Sequence, residues 1–110
     1  MSWDISLIKF KNPEQKEFTE DGYPFVVREV VSALKSNIVN IEIDDYWCVI
    51  DNDMYNVSFD LTPTDGTIDF IMLFASINDD GEESFMSFLN SLCHILNCNA
   101  IDMCDNKLIC

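Results

Sequence analysis

Two neighbouring segments in the middle of the chain repeat apolar side chains at every second residue, and this pattern restricts the fold most. In residues 54–61 the apolar positions are Tyr55, Val57, Phe59 and Leu61, separated by Asn56, Ser58 and Asp60. Successive side chains of a β-strand point to opposite faces, so this segment predicts a strand with one buried face. Residues 67–77 are apolar at both sets of alternate positions. They predict a strand in the middle of the sheet or covered on both sides.

Shorter patterns predict the other strands and the turns. Residues 3–10 alternate loosely and predict a first strand, followed by a polar loop over residues 11–23. Residues 46–50 are aromatic and branched and predict the strand before residues 54–61. The expected turns are Asp51-Asn52-Asp53 and Pro63-Thr64-Asp65-Gly66. Residues 100–103 predict a short edge strand before a frayed tail.

Two segments predict helices. The first is expected to carry Pro24 in its first turn and an apolar stripe at Val27, Val30, Val31, Leu34 and Ile38. The second is expected to bury Phe85, Phe88, Leu89, Leu92, Ile95 and Leu96. The residues expected to cap its start and favour its dipole are Asp79, Asp80, Glu82 and Glu83, and Asn97 and Asn99 are candidates for its left-handed ending. The order β-α-β-β-β-α-(β) predicts one α+β domain over residues 1–110, with two helices on a mostly antiparallel sheet.

The negative charge lies mostly after residue 35. The chain has 20 acidic and 6 basic residues, and residues 36–110 contain fourteen of the acids but only one base, Lys107. A surface of this kind repels nucleic acid and anionic membranes and attracts basic macromolecules. We therefore expect a basic protein partner, and neither nucleic acid nor membrane as a direct ligand. The alternative is a solvated surface that only keeps a small protein soluble.

Eight residues are the candidates for partner contact. Five of them are expected on turns or outward strand positions: Asp51, Asp53, Asp60, Asp65 and Asp69. The other three, Asp44, Asp45 and Trp47, place acids beside an aromatic side chain, as binding hot spots often do. Trp47 is equally consistent with a core position.

Catalysis and metal binding have little support. The one histidine, His94, is expected on the solvent side of the second helix, and three glycines leave little room for a phosphate-binding loop. Five cysteines without C-x2-C spacing are best interpreted as reduced thiols. No cofactor, metal site or catalytic residue is expected.

The cellular location is expected to be the cytoplasm. The longest apolar run, residues 70–75, is far shorter than a membrane span of about 20 residues. Asp4 and Lys9 interrupt the apolar segment that a signal peptide would need.

The chain also resembles a group of small, acidic bacterial proteins. The similar segments are Met1-Ser2-Trp3-Asp4-Ile5, Trp47, Val57-Ser58-Phe59-Asp60, Ile71-Met72-Leu73, residues 85–92 and Ala100-Ile101-Asp102. Proteins of this kind resemble immunity proteins of contact-dependent growth inhibition and related polymorphic toxin systems. The resemblance implies the same order of strands and helices and assigns no functional residue.

Charge and resemblance together predict an immunity protein that neutralises a cognate toxin, with a nuclease as the favoured class. Carboxylates that occupy the basic cleft of a nuclease would imitate phosphates and exclude the substrate. Two alternatives remain. One is an acidic nucleic-acid mimic that inhibits another DNA- or RNA-binding protein, and the other is a housekeeping interaction module. The oligomeric state is not predicted.

Overall fold

Residues 2–110 are described by the structure, a computed structural model, and they form a seven-stranded sheet with two helices. The elements are β1 (Ser2–Ile8), β2 (Phe25–Val26), α1 (Val27–Asn37), β3 (Ile41–Asp44), β4 (Trp47–Asp51), β5 (Tyr55–Asp60), β6 (Thr67–Ile68), β7 (Ile71–Ile77), α2 (Glu82–Leu96), β8 (Asn99–Asp102) and β9 (Lys107–Leu108). The strand order is β3-β4-β5-β7-β1-β8-β9, and every neighbouring pair is antiparallel. This confirms the α+β class.

The alternation in residues 54–61 and 67–77 explains the core. Val57 and Phe59 of β5 are buried, and Leu73 and Ala75 stand opposite them on β7. Both helices cover this side of the sheet, and their buried side chains join the same hydrophobic cluster, which includes Leu34, Phe85 and Leu89. We call this side the helix face. Burying an aliphatic or phenyl side chain contributes about 1.5–3 kcal/mol, so this cluster is the main source of stability.

The strand predicted over residues 67–77 is divided, and only one of its faces lies under helices. Thr67–Ile68 form β6, which pairs with β2, and the sheet strand β7 begins only at Ile71. β7 does lie in the middle of the sheet, as predicted. The apolar residues at the other alternate positions of this segment point away from the helices. One of them, Phe74, is 45% exposed.

Helix α1 begins later than predicted. Phe25 and Val26 pair with β6, so Pro24 precedes a strand and does not lie in the first helical turn. The amide of Val27 donates to the carbonyl oxygen of Gly66, which satisfies a donor that the helix leaves free. The stripe is correct in outline, since Val27, Val30 and Leu34 are buried, while Val31 and Ile38 are half-buried.

Helix α2 has the predicted apolar stripe but a different start. Its N-cap is Gly81, with no capping side chain, so Asp79 and Asp80 lie before the helix. Gly81 is required there because an added Cβ would lie 2.1 Å from the carbonyl oxygen of Met54. The buried residues are Phe85, Leu89, Leu92, Cys93 and Leu96, whereas Phe88 and Ile95 are half-buried. Asn97 alone provides the left-handed ending, with φ 53°, and Asn99 belongs to β8.

Two parts of the sheet differ from the prediction at its edges. β3 was not expected, although Ile41, Glu42, Ile43 and Asp44 alternate; it pairs with β4 through a tight turn at Asp45 and Tyr46. At the other edge, the predicted frayed tail forms β9, so β8 is not an edge strand. The amide of Ile109 donates to the carbonyl oxygen of Ala100, which holds this tail in place.

A loop over residues 9–24 covers part of the sheet on the side away from the helices. Ser6, Ile8 and Ile101 point to that side and are nevertheless fully buried. The loop packs Gly22 against Ile8 and places the ring of Phe18 5.2 Å from that of Phe70. The area over Ser6 and Ile8 of β1 and Ile101 of β8 is therefore closed, and the area over β3, β4, β5, part of β7 and Asp4 of β1 stays open.

Candidate protein-binding face

The open area carries an unusual combination of carboxylates and exposed aromatic rings. We call it the acidic face; it comprises Asp4, Glu42, Asp44, Trp47, Asp51, Asp60 and Phe74, with the smaller side chains between them. Strand alternation places all seven on the side opposite to the buried residues of their strands. All five carboxylates are exposed.

Nothing neutralises these acids from within the described residues. The basic side chains lie elsewhere: Lys9, Lys11 and Lys16 in the covering loop, Arg28 and Lys35 on α1, and Lys107 on β9. Across residues 2–110 the structure has one ion pair, between Lys11 and Asp21. The acidic face therefore carries an uncompensated negative potential. Because salt screens exposed charges, this potential attracts a basic partner mainly at short distances.

The two aromatic side chains lie among the acids in cross-strand register. Trp47 stands opposite Asp44 on one side and opposite Asp60 on the other. Phe74 stands opposite Asp4 and Ser58. Their side chains are 46% and 45% exposed, respectively. Large aromatic groups exposed within a charged surface are typical of protein-binding sites, because a partner removes their apolar area from water.

A concavity of about 540 Å³ adjoins one corner of the acidic face. It brings together three of the eight predicted residues, Asp60, Asp65 and Asp69. Thr62 fixes the first of these, since its amide and its hydroxyl both donate to Oδ1 of Asp60, at 3.0 and 2.7 Å. Asp65 is held by a tight turn in which Thr64 and Thr67 exchange backbone hydrogen bonds. Local turns thus position Asp60 and Asp65, and none of the three carboxylates is paired with a cation of residues 2–110.

The remaining predicted residues occupy the turns. Asp45 lies in the β3–β4 turn with φ 60°, at the same end of the sheet as the concavity. Asp53 lies in the β4–β5 turn, where its carbonyl oxygen accepts a hydrogen bond from Asn78. The eight residues therefore do not form one patch. Asp44, Trp47, Asp51 and Asp60 share the acidic face, and Asp60, Asp65 and Asp69 share the concavity. Asp45 and Asp53 lie in turns at opposite ends of the sheet.

Three residues of the acidic face were missed by the sequence analysis. Glu42 was missed because β3 was not predicted, although its alternation with Ile41 and Ile43 was a usable signal. Asp4 alternates with the buried Ile5 in β1 and could have been found in the same way. Phe74 was expected on a strand that lies in the middle of the sheet or is covered on both sides; the strand is central, but the helices cover only its other side and leave Phe74 exposed.

Within residues 2–110, no group of three or more His, Cys, Asp or Glu side chains has the geometry to hold a metal ion. His94 is exposed on α2, on the side away from the core, as predicted.

Comparisons with protein-family models, with curated proteins and with solved structures gave no match for this chain. No helix within residues 2–110 is long and apolar enough to span a membrane.

Proposed function

We propose that this chain is a cytoplasmic immunity protein that binds a basic toxin domain, with a nuclease as the favoured class, and blocks its action. The observation that carries the proposal is the acidic face, where five exposed carboxylates surround two exposed aromatic rings and none of them is paired with a cation of residues 2–110. The resemblance to acidic immunity proteins supports the same interpretation.

The chemistry of the acidic face fits a cationic protein surface. Lysine and arginine side chains that line a nuclease cleft would pair with carboxylates in place of phosphates. The rings of Trp47 and Phe74 would supply the apolar centre that such an interface needs to hold the partner after electrostatic encounter. The sheet beneath them fixes the backbone positions of these side chains before binding, so no backbone ordering is required on association.

Co-expression with candidate toxin domains from the neighbourhood of its gene tests the proposal. A double variant, Asp44→Lys and Asp60→Lys, should lose protection of the host cells, because it places two positive charges on either side of Trp47. A matched control, Glu14→Lys and Glu17→Lys, makes the same change of net charge on the exposed covering loop and should still protect.

Circular dichroism of both variants establishes that they are folded. Full protection by both double variants would show that the acidic face is not needed. Equal loss of protection in both would show that net charge matters and the position of the charges does not. If the wild-type protein is expressed together with a toxin and does not suppress its toxicity, that toxin is not the partner.

A further inference from the structure

Three of the five cysteines form a cluster that the proposed function does not use. The Sγ atoms of Cys93 and Cys110 are 3.7 Å apart, in van der Waals contact. Cys98 packs against the same part of the core. The cluster lies at the junction of α2 with β8 and β9, away from the acidic face.

Local structure explains why these thiols meet. Cys98 donates its amide to the carbonyl oxygen of Cys93 at 2.9 Å, and Asn97 donates to that of His94 at 3.3 Å. These two bonds, with Asn97 left-handed, form a Schellman ending, in which the side chains of the first and last residues commonly touch. Cys110 reaches the pair because β9 folds back on β8, and its carbonyl oxygen accepts from the amide of Ala100 and from Nδ2 of Asn99.

We propose that Cys93 and Cys110 form a reversible disulfide that fastens residue 110 to α2 when the protein meets a low-molecular-weight disulfide such as oxidised glutathione. The two sulfur atoms need to approach by only about 1.7 Å to reach bonding distance. Cys93 is held in the core at 6% exposure, whereas Cys110 is half-exposed and accessible to a small oxidant.

The reaction balances as two exchange steps. The Cys110 thiol first loses its proton to solvent and attacks oxidised glutathione, which gives a mixed disulfide and releases one reduced glutathione. The Cys93 sulfur then loses its proton and attacks Sγ of Cys110, which releases the second reduced glutathione. The protein loses two electrons and two protons, and the oxidant is reduced by the same two electrons.

The pairing of Cys93 with Cys110 is favoured over the pairing of Cys93 with Cys98. Cys93 and Cys98 are only five residues apart, so a bond between them would restrict the unfolded chain less. Cys93 and Cys110 are 17 residues apart and belong to different elements. A bond across that separation restricts the unfolded chain more and should raise the melting temperature by about 10 °C.

The test uses the full chain with the exposed Cys104 changed to Ser, which prevents links between molecules. The protein is treated with oxidised glutathione, blocked with a maleimide and cleaved before aspartates. Residues 80–101 should be recovered linked to residues 105–110, and the melting temperature should rise by about 10 °C and return with dithiothreitol. A further change, Cys98→Ala, should leave the link in place, whereas Cys110→Ala should abolish it.

Three results would overturn the proposal: glutathione retained on Cys110 with no link, a link that disappears in the Cys98→Ala protein, or an unchanged melting temperature. The test is independent of the proposed function, because it needs no toxin. The Asp44→Lys and Asp60→Lys protein should form the link as readily as the wild-type protein, whatever its effect on protection.

Discussion

Trp47 stands directly opposite Asp60 across β4 and β5, so that an exposed indole and an exposed carboxylate share one side of the sheet. Asp44 flanks the same ring from β3. The pair combines the two requirements of a tight and selective interface: apolar area that a partner can bury, and charge that excludes partners of the wrong sign.

Trp47→Ala should weaken toxin binding by about 30-fold or more, the effect of losing a hot spot worth about 2 kcal/mol. Its effect on folding should be small, because the side chain is 46% exposed and lies outside the core. Calorimetric titration measures the first quantity and urea unfolding the second. Tyr23→Ala is the matched control, since Tyr23 is a 55% exposed aromatic residue on the covering loop and should not affect binding.

Trp47→Ala could instead lower the free energy of unfolding strongly and reduce binding only because less of the protein is folded. Trp47 would then be a structural residue, as the sequence also allowed.

Toxin binding should weaken by about tenfold or more between 50 and 500 mM salt, because the acids of the acidic face act through exposed, screened charges. The neutral variant Asp44→Asn with Asp60→Asn should reduce this dependence by removing two of the charges nearest Trp47. Glu14→Gln with Glu17→Gln removes the same charge from the covering loop and should leave the dependence unchanged. An affinity that does not respond to salt would remove the electrostatic basis of the interface.

Much of the fold was predictable because its signals are local. Regular alternation over residues 54–61 located β5, and helical spacing located both α1 and α2. The misplaced start of α1 has a tertiary cause: Phe25 and Val26 pair with residues distant in sequence, and Pro24 is compatible with either local structure. Such pairing depends on contacts that periodicity does not report.

The candidate site was only partly predictable, for the same reason. Exposure of Asp44, Asp51 and Asp60 follows from strand alternation, once each strand is recognised. Which side of the sheet the helices cover is a property of the whole fold, and it decides that Phe74 is exposed while Ile101 is buried beneath the loop. The contact of Cys93 with Cys110 likewise requires β9, which the sequence pattern did not reveal.

Leu89→Ala should lower the free energy of unfolding by about 2–5 kcal/mol, because Leu89 is fully buried and its loss leaves a cavity. Phe88→Ala should have a smaller effect, about 1–2 kcal/mol, since Phe88 is half-buried and packs chiefly on the rings of Tyr55 and Phe85. Urea denaturation of both variants gives the comparison. An effect of Phe88→Ala above that of Leu89→Ala would mean that the sheet contacts a different side of α2.

The buried thiols should make the fold sensitive to alkali. Burial, with a smaller contribution from Asp60, raises the pKa of Cys48 from its ordinary value of 9.0 to about 11. Hydrogen bonding with Cys98 and burial also raise the pKa of Cys93. Above pH 9 the unfolded chain therefore loses protons that the folded protein keeps, and stability falls as the pH rises.

Each of these two thiols should contribute an average decrease of about 1 kcal/mol per pH unit between pH 9 and 11. Urea denaturation in the presence of a phosphine reductant measures this slope without disulfide formation. Cys48→Ala should reduce the slope by about 1 kcal/mol per pH unit, because alanine has no proton to lose in either state. The exposed Cys104 provides the matched control, and Cys104→Ala should reduce the slope less than Cys48→Ala. If the slope of Cys48→Ala equals that of the wild-type protein, Cys48 ionises equally in both states and its burial is not maintained in solution.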